Sequence, residues 1–388
     1  MTTNLQDTVD RISKIKDDLR QNVFVERDLE INGMFLAIVA NTNILLLGEP
    51  GVAKSLLATE TLKHIDESKY FEWLLTPFTT PDEIAGNISL KALGEDRYKR
   101  NIENTINDAH IAFLDEVWKG NGGVLNFLLP LLNERKYYND GKPQKAPLLT
   151  VIGASNELPE EEDNLAAALD RFVLKFQVET IREKSNMLTM MDNYLKTDPN
   201  RERVLVTIDE IKALQAASKM VDVPKGIMKL IITIKSELEK SQIYVSPRVL
   251  NNSLRVVQAS AILNGRDTAV EDDIEVLRHT FWKQPEHESI IYQEVLSRIS
   301  PDKKKLEEEF AKAESVYEEY KNADDDSDEG MQKNITCLQS LRKVKNSVER
   351  IARDIREKGK STELAEKYLH TIKTYIDEIF ENSGLFNK

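Results

Sequence analysis

The stretch Leu45-Leu46-Leu47-Gly48-Glu49-Pro50-Gly51-Val52-Ala53-Lys54-Ser55 limits what this chain can fold into more than any other. An apolar run stops at a glycine-rich turn, and a helix restarts at once. A turn of this kind lets several backbone N–H groups converge on an anion, while the positive end of the following helix faces the same point. The segment Gly48, Glu49, Pro50, Gly51, Val52, Ala53, Lys54, Ser55 and Leu56 is therefore the expected phosphate cradle. In such a loop the lysine, Lys54, reaches the β- and γ-phosphates, and the hydroxyl of Ser55 ligates Mg²⁺. The strict pattern is G-x-x-x-x-G-K-[ST]; Ala53 stands where its last glycine belongs, so the match is a relaxed one.

Signals further along the chain follow in an informative order. Residues 5–20 carry a helical stripe, and a second helix over about 26–40 leads into the strand Asn43–Leu47. Gln21–Val25, between those helices, is placed either to cover an adenine or simply to pack into the core. His110-Ile111-Ala112-Phe113-Leu114-Asp115-Glu116 reads as a buried parallel strand ending in two acids, the place for metal and water chemistry in an open α/β sheet. Asp115 would then hold Mg²⁺ and Glu116 polarise the attacking water; an acidic cap on the helix over Gly122–Arg135 gives the same local pattern. Asp140-Gly141 marks a hairpin.

Leu148 to Asn156 is another buried strand, ending on a side chain able to position water near a γ-phosphate or to form an Asx turn. Leu165 to Asp170 reads as helical, with Arg171 directly after it and an alternating strand over Phe172–Val178. Arg171 is either a surface ion-pair partner or a finger reaching a neighbouring subunit's γ-phosphate. Ser246-Pro247-Arg248 opens a helix, where an arginine works against the macrodipole unless it faces an anion. Thr268-Ala269-Val270-Glu271 reads as a capping box.

Three domains are expected: an αβα nucleotide-binding core over residues 1–180, an all-helical lid over 181–300 and a helical extension over 301–388. In the extension a charged helical stretch, Lys303–Tyr320, precedes the acidic linker Asn322–Gly330. Two amphipathic helices then form a hairpin, broken at Gly359 and reopened by Ser361 or Thr362. A net charge of −13 disfavours nucleic acid as a general partner. One cysteine, Cys337, excludes a disulfide framework or a cysteine-built zinc site. No apolar run reaches a membrane span and the first residues lack the order of a signal peptide, so the expectation is a cytoplasmic protein.

The phosphate loop, Asp115-Glu116, Asn156, Asp170-Arg171-Phe172 and Ser246-Pro247-Arg248 occur in the order of an AAA+ ATPase. Over residues 5–300 the chain resembles the MoxR family, and within it the RavA type. That resemblance is carried by Gly48–Ser55, Phe78–Glu83, Phe113-Leu114-Asp115-Glu116-Val117-Trp118-Lys119, Leu132-Asn133-Glu134-Arg135 and Ala154–Pro159. Ala53 is usual in that family. The resemblance implies an α/β fold whose five-stranded parallel sheet sets the Asn156 strand between those of Lys54 and Asp115, with insertions near 84–104 and 136–147. It further implies ATP and Mg²⁺ as cofactors and a homo-oligomeric ring, usually a hexamer. Arg171 would act in trans, Arg248 in cis as sensor 2, and Arg135 in a possible second trans contact. Family members remodel protein clients or assist metal insertion, commonly beside a von Willebrand A-domain partner. A nucleic-acid-stimulated motor and an ATP-gated scaffold with little turnover are the competing expectations.

Overall fold

Thr8, Val9, Ile12, Ile15 and Leu19 recur at helical spacing and bury one side of α1 (Thr3–Asn22). A second helix, α2 (Asp28–Ala40), is buried along nearly its whole length and stops where Asn41 turns into the left-handed region, φ 51°. The computed structural model describes residues 3–159, 168–196, 201–321, 328–357 and 362–382. These fall into two compact units, Met1–Tyr292 and Gln293–Lys388.

The first unit is organised by a parallel sheet. Its strands and helices follow in the order β1 (Asn43–Leu47), α3 (Lys54–Leu62), β2 (Ile65–Asp66), β3 (Tyr70–Leu74), α4 (Pro81–Ala85), α5 (Leu90–Leu93), β4 (Ile111–Asp115), α6 (Gly122–Glu134), β5 (Lys136–Asn139), β6 (Lys142–Lys145), β7 (Thr150–Ser155) and β8 (Phe172–Gln177). The sheet order is β3-β4-β7-β1-β8, every pairing parallel. Thus the Asn156 strand does lie between the strands that launch Lys54 and Asp115. Because parallel strands share a direction, Leu47, Asp115, Ser155 and Gln177 all end at one edge. Strand β1 is buried throughout, as a sheet covered on both faces requires. The same covering changes β8: alternation would leave Val173 and Lys175 exposed, yet both are buried with Phe172, Leu174 and Phe176.

Both insertions are present and touch each other. An isolated bridge joins Ile88 to Arg100, and β5 pairs with β6 through the turn Asp140-Gly141, whose positive φ values of 55° and 69° suit a two-residue hairpin loop. Asn139 accepts from the Arg100 amide at 2.7 Å, and the Asp140 amide donates to the Tyr98 carbonyl at 3.0 Å.

Beyond the sheet come α7 (Lys184–Lys196), β9 (Val206–Thr207), which pairs with β2, α8 (Ile208–Ser218), α9 (Lys225–Lys240), α10 (Pro247–Leu263), a 3-10 segment (Glu271–His279) and α11 (Glu286–Ile299). Ser246 caps α10, its hydroxyl accepting the Val249 amide at 3.3 Å. The expected capping box at Thr268 does not form. Helical structure starts after Val270 instead, whose amide donates to Asp273 at 2.9 Å, and Arg266 and Ser260 hold the same carboxylate.

The second unit contains α12 (Pro301–Lys321), α13 (Asp328–Glu357) and α14 (Glu363–Asn382). The hairpin expectation falls short here. Leu306, Ala313, Tyr317 and Tyr320 of the charged stretch share one core with Leu341, Val348, Ile372 and Ile379, making a three-helix bundle. Tyr317 stacks on Tyr375 with centroids 3.8 Å apart, and Phe310 on Tyr368 at 4.0 Å. Asn322–Ser327 of the acidic linker, Gly359 and Ser361 lie outside the described residues; Asp328 already belongs to α13.

Candidate active site

The loop between β1 and α3 has the backbone a phosphate cradle needs. Gly51 has φ +87° and Ala53 φ +70°, so an L residue occupies the left-handed position directly before the helix. Alternation of this kind turns successive N–H groups to one side. Gly48 is required for a different reason: a Cβ there would lie 2.2 Å from the Val178 carbonyl oxygen. Lys54 is buried, and burial lowers its pKa against the opposing charges of Asp115 and Glu116. Its ammonium donates to the carbonyls of Gly48 and Glu49, the latter at 3.0 Å, and to Asn156 Oδ1 at 2.8 Å. Ser55 and Leu56 are exposed on the first turn of α3.

From Lys54 a line of polar contacts crosses the edge of the sheet. Asn156 Nδ2 donates to Glu116 Oε1 at 2.8 Å, and Lys119 Nζ stands 3.3 Å from Glu116 Oε2. Glu116 is held in the left-handed region, φ 50°, and its amide donates to Asp115 Oδ1 at 3.0 Å. Lys54, Asp115, Glu116 and Asn156 are thus together at the ends of three adjacent strands. The cap on α6 is Asn121, whose Oδ1 accepts from Gly123 and Val124 at 3.0 and 3.1 Å, so Asp115 and Glu116 are not that helix's cap.

A cleft of about 370 Å³ opens beside the loop, lined by Gly48, Glu49, Val52 and Asn156 and, across it, by Gln177–Thr180 and Arg182. Arg27, 6% exposed, joins its two walls, donating to the carbonyls of Val52 at 3.4 Å and of Glu179. Glu26, φ 57°, accepts from the Arg182 amide at 3.3 Å and from Asn186 at 2.7 Å. Sequence reasoning missed Arg27 and Glu26, since their partners are distant in the chain; the only local signal was their place beside Gln21–Val25.

Arg171 and Arg248 are elsewhere. Arg171 precedes β8, whose Phe172 pairs with Asn43, whereas the loop follows Leu47. The two sites therefore sit at opposite ends of a five-residue strand, about 15 Å apart at 3.3 Å per residue. Buried Asn43 fixes the Arg171 backbone, donating to the Arg171 carbonyl at 2.9 Å and to that of Leu132 at 3.0 Å. Burial, and next the charge of Arg248, lower the Arg171 pKa. Lys283 stands 3.9 Å from Asp170 and over the ring of Tyr244, four residues before exposed Arg248, which puts the start of α10 on the Arg171 side of the sheet. Leu165–Ala167 of the preceding helix lie outside the described residues.

Arg135 is not a surface group. Its guanidinium donates to the carbonyls of Leu131, Leu132, Leu149 and Asn41, the Leu132 bond at 2.7 Å, and burial pushes its pKa down to about 10. A group satisfied inside its own chain has no donor to offer a neighbour, so the expected second trans contact is withdrawn.

The parallel sheet, the loop at its edge and the acid pair on the neighbouring strand define a nucleotide-binding AAA+ core. Comparison with known proteins gives the family. Residues 10–216 match the model of the MoxR domain in the MoxR-vWA-beta-propeller ternary systems, and residues 226–295 match an AAA lid domain. The chain belongs to the MoxR family of AAA+ proteins. Two uncharacterised proteins of Methanocaldococcus jannaschii are each 39% identical, over 72% of this chain and 72% of the relative in one case and 71% and 72% in the other. Chaperone MoxR1 of Mycobacterium tuberculosis is 22% identical over 73% of this chain and 77% of its own length. A solved structure of a candidate ATPase from Cytophaga hutchinsonii shares the fold, with a TM-score of 0.61 at 21% identity over 76% of this chain and 96% of that one. No helix among the described residues is long and apolar enough to cross a membrane.

Proposed function

We propose that this chain hydrolyses ATP as a subunit of a homo-oligomeric ring, most simply a hexamer, and uses the turnover to remodel a protein client. The observation that carries the reading is the line Lys54–Asn156–Glu116 at one edge of the sheet, with Arg171 and Arg248 gathered at the other. The loop residues Gly48–Leu56 cradle the phosphates, and Lys54 leaves its carbonyl partners for the β- and γ-oxygens. Ser55 and Asp115 suit a hard divalent cation, being oxygen donors at the start of α3 and the end of β4. Bound there, Mg²⁺ would supply charge neutralisation on the phosphates. Glu116 orients and polarises water, and Asn156 braces both Glu116 and the γ-phosphate. Arg171 stands at the far end of the strand from its own loop, and the start of α10, with Arg248, lies on the same side. They complete the cleft of the next subunit instead, where a trans arginine is worth roughly 10³–10⁵ in rate.

A von Willebrand A-domain protein is the proposed partner, supported by the ternary systems for which the matching domain model is described. Chaperone-like action is supported by the name of the mycobacterial relative. The deciding experiment compares ATP turnover by wild type, Lys54→Ala and Glu116→Gln. Hydrolysis by Glu116→Gln at the wild-type rate would overturn the reading.

A further inference from the structure

Helix α7 is amphipathic the wrong way round for a surface helix. Its polar residues face the protein: Asn186 donates to Glu26 Oε1 at 2.7 Å and Asn193 to the Gln21 carbonyl at 3.5 Å. Ser185 and Thr189 fall on the same side at helical spacing. The opposite face carries Met187, Leu188, Met191, Tyr194 and Leu195, from 41% to 82% exposed, and α7 buries no residue at all. A helix that buries none of its own side chains among the described residues, with such a contiguous apolar stripe outward, gains its hydrophobic stabilisation from another molecule. Unbranched methionines suit a face that must fit a moving surface.

We infer that this face of α7 docks a second copy of this chain, the ring neighbour that brings its Arg171 and Arg248 to the cleft. The inference rests on the ring reading proposed above. Position supports this occupant. Arg182, which lines the cleft, is nearly contiguous with Lys184, where α7 begins, so a subunit seated over the cleft covers α7 as well. Charge supports it too. Exposed Glu49 and Glu183 flank the cleft, while the arriving surface presents Arg171 and Arg248. That surface also offers an aromatic group for the apolar stripe: Tyr244 is 59% exposed beneath Lys283, which in turn stands 3.9 Å from Asp170.

The test replaces Leu188, Met191 and Leu195 together by serine in the full-length chain, alone and in the Glu116→Gln background. Mass is read by light scattering with and without ATP, nucleotide affinity at protein concentrations too low for assembly, and fold by thermal melting. Since α7 buries nothing, the melt and the low-concentration affinity stay at their wild-type values, while the concentration needed for ATP-dependent assembly rises at least about tenfold. Turnover per subunit at a fixed protein concentration falls with it. Assembly of the triple variant at the wild-type concentration would overturn the inference and leave the face to a client or the von Willebrand A-domain partner. Failure of the wild-type chain itself to assemble with ATP would instead overturn the ring reading on which it rests.

Discussion

Lys54 Nζ and Glu116 Oε1 are linked through one amide, Asn156, which accepts from the first at 2.8 Å and donates to the second at 2.8 Å. The cation that should hold phosphate and the acid that should polarise water are therefore tethered to each other. Nucleotide must break the Lys54 half of the tether before the site can work. Removing a single preorganised donor from such a site costs roughly 10²–10³ in turnover. Asn156→Ala is expected to lower kcat by about that factor with little change in ATP affinity, because the loop still binds the phosphates. Steady-state turnover set beside a binding titration checks this; a large loss of affinity with kcat intact would assign Asn156 to binding.

Ala53 gives a prediction of opposite sign. The left-handed region costs an L residue about 1–2 kcal/mol, and at φ +70° Ala53 meets that cost in the folded state. Glycine would relieve it but gain about 0.4–1 kcal/mol of unfolded-chain entropy. Ala53→Gly should therefore stabilise the first unit by roughly 0.5–1 kcal/mol and keep nucleotide binding. Ala53→Val, β-branched at the same φ, should lose both. Thermal melts with and without ATP separate the three proteins.

The loop was legible in the sequence because its chemistry is local: glycine, lysine and serine at fixed spacing after an apolar strand. The sheet order followed from the resemblance rather than from any pattern in the strands themselves. What remained hidden depends on contacts distant in sequence. Arg27 joins Val52 to Glu179, and only its place beside Gln21–Val25 hints at it. Periodicity marked α7 as helical yet could not tell which side faces the protein, and here the polar side does. Leu306, Phe310, Ala313, Tyr317 and Tyr320 do recur at helical spacing, but the dense charges between them read as a solvated face rather than a third core helix. Nothing in Ser246-Pro247-Arg248 itself tells on which side of the sheet the start of α10 lies; Lys283, between Asp170 and Tyr244, does.

The proposed trans role of Arg171 predicts complementation. Lys54→Ala should be inactive for want of a phosphate contact, and Arg171→Ala for want of a finger. Mixed rings contain interfaces in which an intact loop from an Arg171→Ala subunit meets an intact finger from a Lys54→Ala subunit. Mixing the two inactive proteins should restore a measurable fraction of wild-type turnover. A mixture no more active than its components would place Arg171 in cis.

Arg135 should behave as a stability residue. Its guanidinium serves the carbonyls of Leu131, Leu132, Leu149 and Asn41 in a buried site. Alanine would leave those acceptors unpaired, at about 1–3 kcal/mol for each one that water does not reach. Arg135→Ala is expected to lower stability by roughly 3–5 kcal/mol. In chemical denaturation its loss should exceed that of Arg171→Ala, which removes a side chain that is only partly buried.

Glu30 predicts how the first unit responds to pH. This side chain on α2 is 6% exposed, and burial pushes its pKa up to about 7, only partly offset by its backbone hydrogen bond and by Arg27. A folded-state pKa above the unfolded value means that the folded chain prefers the protonated acid. The stability tied to that proton is fully present below about pH 4.5 and is lost as pH rises through about 7. At 1.36 kcal/mol for each unit of difference, the loss is about 3 kcal/mol as an upper bound. Glu30→Gln keeps the shape and removes the titration. It should therefore match wild type near pH 4.5 and exceed it in melting temperature by several degrees at pH 8. A Glu30→Gln difference that is the same at both pH values would mean that Glu30 remains ionised in the folded chain.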